Sequence, residues 1–318
     1  MEVSIIIVNY KTPKLLGVCL KSIFKYVESE SFEVIVVDNY SQDESKSIVE
    51  NNYPLVKWVD MGRNGGFGAA NNKGIELAKG EFVLLLNSDT EFYEDSLAVC
   101  LPYYKSLESK GDKVGLLGCP VKHFDGRLQP SCNYFTAGIR EAFEEHPIGI
   151  KVLQHWLKIK KLRNIDKYAR LNESHEITWL GVPFALIRSS VIKQNNFDER
   201  FFMYSEDEEL NYRLSKNGYK SFFIADSGIY HHIGASSTVN EVRDTQIFYS
   251  KLLFIRLSRG SIYFNIYAAI LKSTYKLNFK FTGNEEFLKK VDQVIDAKQK
   301  IKYVMASGDA LNMYKVKV

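Results

Sequence analysis

Residues 3–8 form an unbroken apolar and β-branched run, the pattern of a strand buried on both faces. Thr12-Pro13 follows, a capping residue and a proline suited to the first helical position. Leu15, Leu16, Cys19, Leu20, Ile23 and Phe24 then recur at helical spacing. Residues 33–37 predict a second buried strand ending in Asp38-Asn39. A helical pattern over 68–79 stops at Gly80, and residues 81–86 predict a third strand closed by Asn87-Ser88-Asp89. This alternation predicts an α/β fold, a mainly parallel mixed sheet flanked by helices. In such sheets ligands bind beyond the carboxyl ends of the strands. Asn9-Tyr10, Asp38-Asn39 and Asn87-Ser88-Asp89 stand at those ends. Asn and Asp also close strands as plain turn formers, but three strands ending alike point to a nucleotide site.

Further along, Leu210 and Leu214 set the inward face of a helix that starts near Ser205 and stops at Asn217-Gly218. Ser205 with Glu208 fits a capping box, and the acids of the first turn complement the helix dipole. The same placement would also keep a carboxylate charged and fixed in direction, as a general base needs. After a short strand over 221–225, Tyr230-His231-His232 offers an imidazole that could ligate a metal, although a lone histidine is more often a hydrogen-bonding residue. His123, His146, His155 and His175 have no sequence partners and read as packing residues. Past 284, Phe287, Leu288, Val291, Val294, Ile295 and Ile301 mark a last helix, for packing or a homodimer contact.

Composition narrows the classes. The 318 residues are 45% hydrophobic and 25% charged, as in ordinary globular proteins. The four cysteines have no CxxC or zinc-type spacing, so a reduced cytoplasmic protein is expected over a disulfide scaffold. The start of the chain lacks a basic leader region, and no apolar stretch reaches spanning length. Net charge is +4 but uneven: residues 151–171 carry +6, residues 270–318 carry +5, and the rest −7. Aromatic and apolar residues are interleaved with these lysines, which suits an anionic membrane surface as well as a solvated basic face. Nucleic acid fits poorly, since no recognition motif accompanies the charge. Gly66-Phe67-Gly68 lacks the third glycine of a dinucleotide fingerprint, its place being Asn71, and no P-loop occurs.

Six ordered motifs carry a family resemblance over residues 1–260. They are Val3–Tyr10, Val37–Asp43, Arg63–Gly68 with Asn71, Leu86–Thr90, Phe197–Phe202 running into Glu206, Asp207 and Arg213, and His231 with Gly234-Ala235-Ser236. The sequence resembles the inverting family 2 glycosyltransferases of the GT-A fold, in their bacterial rhamnosyltransferase-type branch. The resemblance implies that Asn9, Tyr10 and Asp38 hold the nucleotide base, with Arg63 and Asn64 near the base or diphosphate and Asn87 by the ribose. It implies Asp89 as ligand to Mg²⁺ or Mn²⁺ with His231 as a second, and Asp207 as catalytic base. Trp179, Gly181 and Glu206 fall on the acceptor side, where Val182 replaces the glycine usual in relatives. The implied donor is a nucleoside-diphosphate sugar (UDP- or dTDP-), and the acceptor a saccharide or polyprenyl-diphosphate-linked saccharide of bacterial surface polysaccharide assembly. The implied place is the cytoplasm, at the inner face of the membrane. Expected boundaries are 1–240 for the catalytic domain, with a nucleotide-sugar half at 1–119, an acceptor and base half at 120–240 and a basic insertion at 151–171. A helical C-terminal extension spans 241–318. Two alternatives are a nucleotidyltransferase that makes nucleotide sugars, and a non-catalytic scaffold. The first should carry a glycine-rich basic loop after the first strand, where Asn9-Tyr10-Lys11-Thr12-Pro13 stands. Against the second, Asp89, Asp207 and His231 are intact.

Overall fold

The computed structural model describes residues 1–28, 31–133, 137–139, 142, 170–232 and 240–308. The chain divides into two compact units. One comprises Met1–Phe135, Lys167–Glu199 and Glu206–Thr238; the other comprises Thr136–Asp166, Arg200–Ser205 and Val239–Val318. Most of the basic segment at 151–171, and the Gly234-Ala235-Ser236 motif, lie outside the described residues.

The first unit is built on β1 (Val3–Asn9), β2 (Phe32–Asp38), β3 (Lys57–Asp60) and β4 (Phe82–Asn87), all parallel, with β1 between β2 and β4. Three small strands are β5 (Thr90–Phe92), β7 (Val121–Lys122) and β8 (Leu128–Gln129). The sheet continues through β6 (Val114–Gly118), β10 (His175–Ile177), β12 (Phe184–Arg188) and β13 (Lys220–Phe223). Among the described residues the order of this eight-stranded sheet is β10-β13-β6-β12-β4-β1-β2-β3. Only β12 and β10 run against their neighbours, so the sheet is mixed and mainly parallel, as the alternation predicts. Every residue of β1 is buried. Val3, Ile5 and Ile7 face α1 (Pro13–Tyr26) and α4 (Ser96–Ser109) in one apolar layer. Ile6 and Val8 face α3 (Phe67–Leu77) in the other. A short helix α2 (Ser45–Asn52) and strand β3 have no expectation from the sequence; β3 is an edge strand with no fully buried residue, so its hydrophobic signal is weak.

Helix α3 lies close on the sheet because Gly74 has no side chain: a Cβ there would sit 2.4 Å from Ile6 Cγ2 and 3.3 Å from Val37 Cγ2. Both neighbours are fully buried and have nowhere to move. Gly74→Ala is therefore expected to destabilise the fold by about 1–3 kcal/mol, read as a lowered denaturation midpoint; an unchanged midpoint would show that α3 can retreat from the sheet.

Thr12 does precede α1, but its hydroxyl makes no capping bond; it donates to Asn9 Oδ1 (2.8 Å) and pairs with Ser88 Oγ (2.9 Å). Ser205 has φ 60°, and the Glu208 N–H donates to Asp207 Oδ1 at 2.8 Å. The four cysteines are all free and buried, and burial pushes the Cys19 thiol up to about 12.

The second unit is mainly helical among its described residues, with Arg200–Ser205 in turns and bends. Helix α5 (Ser189–Gln194) and helix α6 (Glu206–Lys216) belong to the first unit; α7 (Asn240–Thr282) and α8 (Glu286–Ser307) form the second. Gly260, at φ 84° and ψ 175°, breaks α7. Phe264, Tyr267, Ala268, Leu271 and Tyr275 line its buried side, and α8 answers with Val291, Val294, Ala297, Ile301 and Val304. Leu288 and Ile295 lie off that stripe and remain about two-fifths exposed (39% and 40%). Among the described residues no helix is long and apolar enough to cross a membrane.

Candidate active site

Ladder register aligns the strand ends. Asn9 pairs with Asp38, Asp38 with Asp60, and Asn87 with Val8, so polar residues form a row on one edge of the sheet. Asn9 is fully buried and braces its neighbours: its amide donates to Asp38 Oδ1 (2.8 Å) and Ser41 Oγ (3.1 Å). Ser41 in turn donates to Asp38 Oδ1 (2.5 Å) through its hydroxyl and to Oδ2 (2.9 Å) through its N–H. Asp38 thus faces outward with its carboxylate held in one orientation, into a cavity of ≈ 320 Å³. Tyr40, Trp58 and Asp60 line the same cavity. The Trp58 indole N–H donates to Asp60 Oδ1 at 2.9 Å, which locks the ring against the strand end.

Asn39 latches the Arg63–Gly66 loop to β2. Its amide donates to the Gly66 carbonyl (3.2 Å) and its Oδ1 accepts from the Gly65 N–H (2.9 Å). Asn64 caps the loop internally, accepting from the Gly66 N–H at 3.1 Å. Arg63 is exposed and lines a neighbouring cavity of ≈ 340 Å³, which shares Met61 with the Asp38 cavity. Tyr10 is half-buried, with Lys11 Nζ 5.3 Å from its ring centre. Asn87 Oδ1 is buried with no hydrogen-bond partner among the described residues.

Beyond β4 the chain turns into β5, which pairs with β14 (Ile229–His231), and His231 lies opposite Thr90. This brings His231 Nε2 to 3.1 Å from Asp89 Oδ1, across 142 residues of sequence. Gln129 controls the imidazole. Its Nε2 donates to the His231 carbonyl (2.8 Å), which turns its Oε1 toward His231 Nδ1 (3.0 Å). Nδ1 must then carry the hydrogen, and the Nε2 lone pair faces the carboxylate. Two acceptors that close need a proton or a cation between them. Their separation also matches the spacing of about 3 Å between adjacent ligands of an octahedral ion with bonds near 2.1 Å. The donor set fits Mg²⁺ or Mn²⁺, with a hydrogen-bonded second shell of the usual kind. Among the described residues no third His, Cys, Asp or Glu joins the pair, so the remaining ligands of such an ion would be phosphate oxygens and water. His232 turns away, 3.6 Å from Glu91 Oε2.

Helix α6 begins at the same edge. β12 runs against β4, with the Asn87 N–H donating to the Pro183 carbonyl at 3.2 Å, so the segment before it, with strand β11 (Trp179–Leu180), arrives beside the strand ends. Asn211, one turn into α6, ties the two together. Its amide donates to the carbonyls of Leu180 (3.1 Å) and Asp207 (2.8 Å), and its Oδ1 accepts from the Leu180 N–H (3.2 Å) and the Ser221 hydroxyl (2.8 Å). Asp207 Oδ2 consequently lies 3.7 Å from where a Cβ on Gly181 would be. Burial lifts the Asp207 carboxyl to about 6, against the downward pull of the Glu208 N–H and its own backbone. Glu206 is more deeply buried; desolvation and the adjacent Asp207 push it well above the usual carboxylate range, and its Oε2 has no partner among the described residues. The pair carries one charge more easily than two, and Asp207 holds it. Glu209 is committed elsewhere, to Arg213 at 2.7 Å.

A family model described as glycosyl transferase family 2 matches residues 4–174. The chain belongs to this family. The N-acetylglucosaminyl-diphospho-decaprenol L-rhamnosyltransferase of Mycobacterium tuberculosis is 29% identical over 212 residues, 63% of this chain and 66% of that protein, just short of two thirds of its length. The poly(ribitol-phosphate) beta-glucosyltransferase of Bacillus spizizenii is 35% identical over 135 residues, 41% of this chain and 20% of its own length. Among solved structures, S. aureus TarS 1–349 in complex with UDP superposes with a TM-score of 0.52 at 18% identity, covering 99% of this chain and 89% of that one; it shares the fold. Within this family 2 chain, Asp207 and His231 lie beyond the matched segment. Sequence reasoning singled out the row, the Asp89–His231 pair and Asp207. It missed Trp58, Asp60, Gln129 and Asn211, whose importance lies in what they touch.

Proposed function

We propose that this family 2 chain transfers a sugar, with inversion, from a UDP- or dTDP-sugar to a saccharide or polyprenyl-diphosphate-linked saccharide in surface polysaccharide assembly. The observation that carries the reading is Asp207: a carboxylate at a helix start, 3.7 Å from where a Gly181 Cβ would be and tied through Asn211 to the Leu180 strand, with burial raising it to about 6. Asp207 takes the proton of the acceptor hydroxyl as that oxygen attacks the anomeric carbon opposite the departing diphosphate, which inverts the centre. Asp38 and Trp58 bind the base, the first by accepting a ring N–H and the second by stacking. Asp89 and His231 would hold Mg²⁺ or Mn²⁺. A divalent cation supplies positive charge against the diphosphate as it leaves. The name of the mycobacterial relative, acting on a decaprenol-linked sugar, supports the lipid-linked acceptor. Work at the inner membrane face is supported by the exposed Ile262, Ile266 and Phe281 on lysine-bearing α7.

The test is a panel of UDP-, dTDP- and GDP-sugars with Mn²⁺, followed first by thermal shift and then by transfer to N-acetylglucosaminyl-diphospho-polyprenol and to free oligosaccharides. At least one UDP- or dTDP-sugar is expected to bind and be consumed with acceptor; silence across the panel sinks the reading. Trp58→Ala is expected to weaken nucleotide binding about tenfold, within the range of a base–aromatic stack. Unchanged affinity would place the base outside the Asp38 cavity.

A further inference from the structure

The second unit holds a cavity that the transfer reaction does not use. It lies between α7 and α8, with a volume of ≈ 370 Å³, and Lys272, Lys276 and Lys298 line it together with Asn265, Ser273 and Ala269. No carboxylate lines it among the described residues. Lys272 and Lys276 are one helical turn apart on α7, and Lys298 approaches from α8. Like charges at that spacing destabilise a helix, so the arrangement has an electrostatic cost that nothing in its lining offsets.

Neighbouring lysines show what an occupied charge looks like in this unit. Lys300 pairs with Asp296 at 3.0 Å, and Asp296 also accepts from the Tyr249 hydroxyl at 2.5 Å. Lys290 lies over the Tyr275 and Phe287 rings at 5.7 and 5.9 Å. The three cavity lysines make no ion pair with any described residue, and the nearest acid along α8 is already committed. Ser273 and Asn265 add neutral donors, and Ala268 and Ala269 contribute only small side chains to the lining. Convergent ammonium groups with hydroxyl and amide donors around an open space are the complement of a phosphate oxygen cluster.

We infer that Lys272, Lys276 and Lys298 form a binding site for a phosphate group. The phosphate can be that of a phospholipid headgroup or of a soluble phosphate or diphosphate, and the two are distinguished by probe.

The intact chain is titrated with inorganic pyrophosphate, and separately with vesicles of phosphatidylcholine alone or mixed equally with phosphatidylglycerol. Wild type is expected to bind pyrophosphate, the mixed vesicles, or both, more weakly as salt rises. The variant Lys272→Gln/Lys276→Gln/Lys298→Gln should lose about tenfold more affinity than Lys280→Gln/Lys289→Gln/Lys302→Gln, which removes the same charge from the same helices outside the cavity. Ala269→Leu, which puts a larger side chain into the lining and leaves the charge intact, should reproduce that loss. Binding to mixed vesicles without pyrophosphate assigns the site to a headgroup; binding to pyrophosphate without vesicles assigns it to a soluble ligand. Equal losses in the two triple variants, full binding in Ala269→Leu, or no binding of either probe by wild type would each overturn the site. Circular dichroism of every variant confirms that α7 and α8 are formed.

Discussion

Asp207→Asn is expected to lower the rate of sugar transfer by about 10²–10⁴ while leaving nucleotide affinity within about twofold. Asparagine keeps the shape and can still accept the Glu208 N–H, so the loss isolates the proton-accepting role. Wild-type activity should follow the ionisation of this group, whose carboxyl burial lifts to about 6. Below that value the rate should fall about tenfold per pH unit, and above it level off, because only the ionised form accepts the acceptor proton. Stability moves the opposite way. The folded state holds the Asp207 proton more tightly than the unfolded chain, whose carboxyl titrates near the ordinary 3.8. As pH rises from about 4 to about 6 the folded form binds more protons, so this group's contribution to stability declines across that window and is lost above it. Asp207→Asn should therefore melt no lower than wild type at pH 7–8, and its melting profile should be flatter between pH 4 and 6. Full turnover in the variant would remove Asp207 from the base role. A lowered melting point at neutral pH would mark it as a structural carboxylate instead.

The second large effect is expected at the Asp89–His231 pair. Asp89→Ala should abolish Mn²⁺-dependent donor binding, and His231→Ala should weaken it strongly. Gln129→Ala, which touches no ligand atom, should cost about 10–100-fold in Mn²⁺ affinity, the usual price of losing an outer-shell partner. The Gln129 result is the more diagnostic one. Its Oε1 accepts from the Nδ1–H and so turns Nε2 toward Asp89; without that bond the imidazole can turn or change tautomer. Mn²⁺ titration of each variant with UDP present, read by water proton relaxation, measures this directly. Curves that superpose on wild type would exclude the pair as the metal site. Transfer that persists in a chelator would exclude a cation from the reaction.

The row of polar strand ends was legible because its information is local. A buried parallel strand announces itself by an apolar run, and the next residue is by construction at the sheet edge, so Asn9, Asp38 and Asn87 could be read in order. Asp207 was legible as an acid at a helix start, with Glu206, Glu208 and Glu209 beside it in the first turn. What escaped depends on distance. Trp58 and Asp60 sit on a four-residue edge strand with little hydrophobic signal. Gln129 acts on His231 from 102 residues away, and Asn211 looks like any polar residue on a helix. Leu288 and Ile295 failed in the other direction: helical spacing made them part of the final helix, but α7 covers only the stripe one turn over. Spacing finds a helix and leaves open which of its faces a neighbour will cover.

The double hold of Asn211 has a consequence for substrate selection. Its one amide group secures both the strand carrying Trp179 and the backbone of Asp207. The wall that would greet the incoming sugar and the group that would deprotonate it thus move as a single body. Under the proposed reading, altering that wall to admit a different acceptor should change turnover along with affinity, because Asn211 ties the two together.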